Sequence, residues 1–94
     1  MPRERIVAAE VECARERLTV RLRGHAERIS SGLLERFGEM SAALHRASLR
    51  LAELERARAR RAEIRAARRE LRRFRREWRA MVAALEQEAR VLPA

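Results

Sequence analysis

The sequence is poor in the residues that shape disulfide-linked proteins and loop-rich domains. Its 94 residues include no lysine, aspartate, asparagine or tyrosine, and only three glycines, two prolines, three aromatic side chains and one cysteine. A lone cysteine cannot form an internal disulfide, which favours a reducing compartment such as the cytoplasm. No apolar run reaches the length of a membrane span, and no signal-peptide core follows the first methionine. We therefore expect a cytoplasmic protein.

Groups suited to catalysis or metal binding are equally scarce. Cys13, His25 and His45 are the candidates for a nucleophile, a base or a soft-metal ligand, and their separations of 12 and 20 residues match no common pattern. The Glu-x-x-His motif of di-metal bundles is missing, as are glycine-rich phosphate-binding loops. The sequence predicts no enzyme, no cofactor, no metal and no small-molecule substrate.

Four residue types dominate what remains. Arginine, alanine, glutamate and leucine supply 66 of the 94 residues, and all four are strong helix formers. Pro2 and Pro93 stand where helices tolerate proline, at a start and just past an end, and no proline lies between them. This composition is typical of long helices and coiled coils, so we predict an all-α fold.

Large apolar residues recur every 11 residues in the first part of the chain. One track runs from Val7 to Leu51 and a second from Val11 to Leu44. An 11-residue period keeps one apolar stripe on a nearly straight helix. Both tracks keep their phase across the three glycines, which predicts a continuous helix with the glycines as close-packing or bending points. A hairpin turning near residues 30–38, where Ser30-Ser31-Gly32 lies, is the alternative.

The spacing changes to alternating steps of three and four from Ala57 onward, which is a heptad seam. Residues 55–63 contain no turn-forming residue, so we interpret the change as a stammer within one helix. The chain is thus divided into a near-neutral segment, 1–54, and an arginine-rich heptad segment, 55–94.

The predicted architecture is one or two long helices in an extended coiled coil, with a continuous rod favoured. About 90 helical residues would span roughly 135 Å, and such a rod cannot bury its own apolar stripe. A partner strand, either a second copy or another protein, is then required. The predicted seam residues are Leu18, Leu22, Ile29, Leu33, Met40, Leu44, Leu51, Ile64, Leu71, Phe74, Trp78, Met81 and Leu85.

The net charge of +9 is concentrated in residues 56–79, which carry 12 arginines and three glutamates. Within the heptads, glutamates fall at g and arginines at e. In a parallel coiled coil Glu63 would therefore meet Arg68 of a second copy, and Glu70 would meet Arg75. This pattern predicts parallel self-association or a partner helix of complementary charge.

The outer side of the same segment carries arginines with few acids. Such a stripe can neutralise several phosphates without reading bases, or it can be a solvated or protein-facing surface. Phe74 and Trp78 could stack on unpaired bases, but their seam positions favour core packing. Binding to a membrane surface is disfavoured because the glutamates at g would approach the headgroups. The candidate contacts for phosphate or for an acidic partner are Arg58, Arg65, Arg69, Arg72, Arg76 and Arg79.

Two functions are compatible with these patterns. The favoured one is a non-enzymatic structural or adaptor protein that acts by helix–helix association with itself or with partner proteins. The alternative is a sequence-independent nucleic-acid-binding protein that presents an arginine-rich helix face on a coiled-coil dimer.

Overall fold

A computed structural model describes residues 3–23 and 27–91, and for residues 27–30 it describes the backbone alone. These residues form three α-helices, α1 (Arg3–Leu22), α2 (Glu27–Arg56) and α3 (Arg61–Arg90). The described part of the chain contains no strand. The prediction of an all-α fold is confirmed.

The helices form an up–down–up bundle in which each packs against the other two. The start of α1 lies beside the end of α2, where Arg3 and Glu55 form an ion pair of 2.6 Å. The start of α2 lies beside the end of α3, where Arg36 pairs with Glu88 at 2.5 Å. Consequently α1 and α3 run parallel to each other and antiparallel to α2. The bundle measures 53 × 20 × 17 Å. Its longest dimension is close to the length of one 30-residue helix, which is roughly 45 Å.

The structure differs from the predicted rod and from the alternative hairpin. The chain reverses between Leu22 and Glu27 and again after Arg56, whereas α2 is helical throughout residues 30–38. The 11-residue tracks run through the first reversal without losing phase. The regular 11-residue spacing therefore reflects the packing faces of two antiparallel helices. The interpretation of this spacing as evidence for one continuous helix is wrong.

The described glycines are not close-packing points. Gly32 and Gly38 both lie inside α2, and a Cβ atom added at either would meet no described atom within 4 Å beyond its chain neighbours and its own helix backbone. The glycines were expected to be close-packing or bending points; close packing is therefore wrong for these two, and bending stays a prediction. Gly24 lies outside the described residues.

The turn between α2 and α3 is a Schellman motif built without glycine. The Ala59 N–H donates to Leu54 O at 3.0 Å, and the Arg58 N–H donates to Glu55 O at 3.2 Å. Arg58 takes the left-handed conformation at φ 53°, which costs roughly 1–2 kcal/mol for a residue with a Cβ. The predicted stammer is therefore a turn, and the sequence hid it because an arginine occupies the position that glycine usually fills.

The core consists of apolar side chains from all three helices, so the chain covers its own seam. Phe37 of α2 is fully buried, and its ring centroid lies 6.1 Å from that of Trp78 in α3. Among the predicted seam positions, Ile29 has no described side chain, and four are half-buried: Met40, Ile64, Phe74 and Met81. The other eight are buried: Leu18, Leu22, Leu33, Leu44, Leu51, Leu71, Trp78 and Leu85.

Two serines of α2 are buried in this core. The Trp78 Nε1–H donates to Ser41 Oγ at 2.9 Å, which satisfies the indole and fixes its orientation. Ser48 is also buried, and its hydroxyl has no hydrogen-bond partner among the described residues. Because the Trp78–Ser41 hydrogen bond is buried between α2 and α3, it fixes the position of these two helices relative to each other.

Candidate functional site

One flank of α3 faces α1 and the end of α2, and its arginines are paired there. Arg75 and Arg79 both bind the Glu10 carboxylate of α1, at 2.6 and 2.8 Å. Arg68 lies 3.4 Å from Glu55 of α2. Three α3 arginines are therefore paired with two carboxylates that the fold brings to them.

The arginines expected to pair with a second copy have partners within this chain. Arg68 was predicted to meet Glu63, and Arg75 to meet Glu70; the structure instead pairs both arginines with acids of α1 and α2. Glu63 and Glu70 are exposed, and neither forms an ion pair with a described residue. The heptad pairing between two copies therefore stays a prediction, and it requires these internal pairs to exchange partners.

A second flank of α3 carries exposed arginines that have no acid partner among the described residues. Their spacing of four, three and four residues places them on one side of the helix, over about 16 Å of its length. We call this set the arginine stripe. Its members are Arg65, Arg69, Arg72 and Arg76.

The other two predicted phosphate contacts lie apart from the arginine stripe. Arg79 is held by Glu10, and Arg58 is exposed in the turn before α3. The α3 acids Glu63, Glu70 and Glu77 are exposed as well. Since a helix turns 100° per residue, they lie about 130° around α3 from the centre of the stripe. The stripe is therefore a surface of one sign of charge.

The aromatic residues offer no stacking surface beside the arginine stripe. Trp78 is 2% exposed and Phe37 is fully buried. Phe74 is half-buried, and the Arg73 guanidinium lies 5.3 Å from its ring centroid. The prediction that Phe74 and Trp78 serve core packing rather than base stacking agrees with this placement.

The Glu10 carboxylate links α1 to α3 electrostatically. Burial raises its pKa, but the hydrogen bonds donated by Arg79 and Arg75 outweigh that effect, so the pKa lies below the usual 4.5. The hydrogen bond from Arg3 likewise lowers the pKa of Glu55. Both carboxylates thus remain ionised in mild acid and continue to hold their arginines.

Replacing Glu10 with glutamine should reduce the pH dependence of stability. A carboxylate whose pKa is lower in the folded chain stabilises it fully above the unfolded value of 4.5 and loses that effect as the pH falls through the folded value. We expect E10Q to lose about 1 kcal/mol in urea unfolding at pH 7, and less at pH 3. Glu16→Gln, an exposed change on the same helix, is the control, and an equal loss in both variants would contradict the role of Glu10.

The described residues contain no cluster of three or more metal-ligating side chains. Cys13 is exposed on α1, His45 is half-buried on α2, and His25 lies outside the described residues. Within the described ranges, no helix combines the length and apolar character needed to cross a membrane.

Helical spacing could not predict which acids pair with the α3 arginines, nor which of the arginines have such a partner. The pairing acids Glu10 and Glu55 are 65 and 13 residues from their α3 partners Arg75 and Arg68, so only the folded bundle brings them together. The heptad pattern identified which arginines face outward, but not which of them the fold neutralises.

No protein-family model matches this chain, and no curated protein or solved structure shows significant similarity to it.

Proposed function

We propose that this chain is a non-enzymatic binding protein whose arginine stripe contacts the phosphate backbone of double-stranded nucleic acid without reading its sequence. The observation that carries the proposal is that Arg65, Arg69, Arg72 and Arg76 have no acid partner among the described residues, while Arg68, Arg75 and Arg79 on the adjacent flank are all paired. Four such guanidinium groups on one side of a rigid helix suit a repeating anion.

A duplex fits this surface better than a single strand. Proteins that hold single strands combine basic grooves with exposed aromatic side chains, on which the bases stack. Here Trp78 and Phe37 are buried and Phe74 is half-buried beside Arg73. The stripe can therefore contact phosphates but has no stacking platform, and a duplex presents phosphates at the higher density.

The bundle also weakens the favoured expectation from sequence, an adaptor that uses its seam to bind another helix. The seam residues already pack on one another inside the chain, so such an adaptor would have to open first. A partner with an acidic surface could bind the same stripe, and a salt titration with nucleic acid separates that case from nucleic-acid binding.

We place the protein in the cytoplasm because an exposed thiol such as Cys13 suits a reducing compartment.

The test is a salt titration of binding to a duplex of random sequence. Four phosphate contacts predict that log K falls with log[salt] with a slope of about −3.6, hence roughly a hundredfold loss of affinity between 50 and 200 mM salt. The triple variant R65Q/R69Q/R76Q should reduce the magnitude of the slope to about 1, because one stripe arginine remains.

The matched control removes three exposed arginines from another part of the surface. R5Q/R21Q/R23Q lowers the net charge by the same amount, through residues on and just after α1. We expect it to keep most of the affinity and most of the salt slope. If both triple variants lost the same amount of duplex affinity, binding would depend on net charge and not on the arginine stripe. If the wild-type chain did not bind the duplex at 50 mM salt, the proposal would be overturned in favour of a protein partner.

A further inference from the structure

A small cleft of about 160 Å³ lies where α1, α2 and α3 meet. Two of its lining residues are core leucines, which supply an apolar wall, and the other four are arginines. We call it the four-arginine cleft. Its lining residues are Arg3, Leu51, Arg68, Leu71, Arg72 and Arg75.

The positive charge of the four-arginine cleft exceeds the negative charge available to it. Glu55 accepts hydrogen bonds from both Arg3 and Arg68, at 2.6 and 3.4 Å. The carboxylate of Glu10 binds Arg75, and it is shared with Arg79, which does not line the cleft. Four guanidinium groups thus meet at most two carboxylates, which leaves an excess charge of at least about +2.

Arg72 is the cationic side chain of the cleft that has no described ion-pair partner, so its guanidinium is free to bind a ligand. The apolar wall formed by Leu51 and Leu71 lowers the local dielectric constant and strengthens attraction to an anion. Guanidinium groups match the oxygens of a tetrahedral anion because they donate paired, planar hydrogen bonds. The volume is also many times what one water molecule requires.

We propose that the four-arginine cleft binds a phosphate group in its dianionic form. The excess charge of about +2 matches a free phosphate or a terminal phosphomonoester, whose second pKa is near 6. An internal phosphodiester carries a single charge and is a poorer match. Because Arg3 lies on α1 and Arg72 on α3, the bound group ties these two helices together and stabilises the bundle. The proposal is independent of the arginine stripe, with which the cleft shares only Arg72.

Thermal unfolding with phosphate and with chloride at equal ionic strength tests this proposal. In the wild-type chain, phosphate at pH 7.5 should raise the midpoint of unfolding above the chloride value, because ligand binding to the folded state stabilises it. Titration calorimetry with inorganic phosphate should give a dissociation constant at least tenfold larger for R72Q, since a hydrogen bond to a charged group is lost.

The matched control is R69Q, which removes an arginine of the stripe that does not line the cleft. It should keep the response to phosphate while weakening duplex binding, so the two proposals can fail separately. Equal phosphate affinity in R69Q and R72Q, or equal stabilisation by chloride and phosphate, would overturn the cleft proposal.

A duplex with and without a 5′-phosphate identifies the source of the group. Tighter binding of the phosphorylated end by the wild-type chain, but not by R72Q, would support the cleft as a seat for nucleic-acid ends. Equal binding of both duplexes, together with a response to inorganic phosphate, would support the free ion as the ligand.

Discussion

Trp78→Ala should lower the free energy of unfolding by about 3–5 kcal/mol, the usual cost of removing a buried aromatic side chain. Trp78 is 2% exposed, packs against Phe37 and donates its Nε1–H to Ser41 Oγ. The substitution therefore leaves a cavity between α2 and α3 and an unpaired hydroxyl inside it. A chain of this length has a total stability on the order of 5–14 kcal/mol, so we expect a much lower midpoint in urea, followed by circular dichroism.

Trp78→Phe separates packing from hydrogen bonding in this test. It keeps an aromatic ring beside Phe37 and removes the donor to Ser41, which should cost about 1–2 kcal/mol. A loss below about 1 kcal/mol for Trp78→Ala would contradict the placement of the indole in the core.

Val11→Asp should be at least as damaging, because it places a carboxylate among apolar side chains. Val11 is 1% exposed on the face of α1 that enters the core. A buried, unpaired charge costs several kcal/mol, so we expect α1 to detach and much of the bundle to unfold at pH 7. Helical signal and the urea midpoint report the change directly.

Val20→Asp is the matched control, since Val20 lies on the same helix and is 70% exposed. It should change stability by no more than about 0.5 kcal/mol. If both variants kept the wild-type midpoint, or if Val11→Asp altered only the oligomeric mass, α1 would not cover the core of its own chain.

The sequence was sufficient to locate the apolar seam but not to say what covers it. Heptad and 11-residue spacing identified Leu18, Leu44, Trp78 and Leu85, all of which are buried. The same spacing could not reveal the reversals, because phase is preserved across the first and the second is closed by Arg58 in a left-handed conformation. At the second reversal, turn chemistry without glycine or asparagine leaves no local signal. Gly24 does lie between α1 and α2, but the unbroken phase led to its interpretation as a close-packing or bending point within one helix.

The arginine stripe was predictable in part from helical periodicity. Helical periodicity placed Arg65, Arg69, Arg72 and Arg76 on the outer side of one helix, where they are exposed. The pairing of Arg79 with Glu10 depends on the approach of α1, a tertiary contact that local spacing does not encode. The four-arginine cleft could not be predicted either, because it requires Arg3 to lie beside the first half of α3.

Small-angle X-ray scattering with an absolute mass measurement tests most directly whether the chain covers its own seam. A single chain of 11.0 kDa with a radius of gyration close to the 15.6 Å of its Cα atoms is the predicted result. A continuous helical rod of about 135 Å would instead have a radius of gyration of about 39 Å and the mass of a dimer or larger assembly. That second result would contradict the bundle, and with it the separation of a buried seam from an exposed arginine stripe.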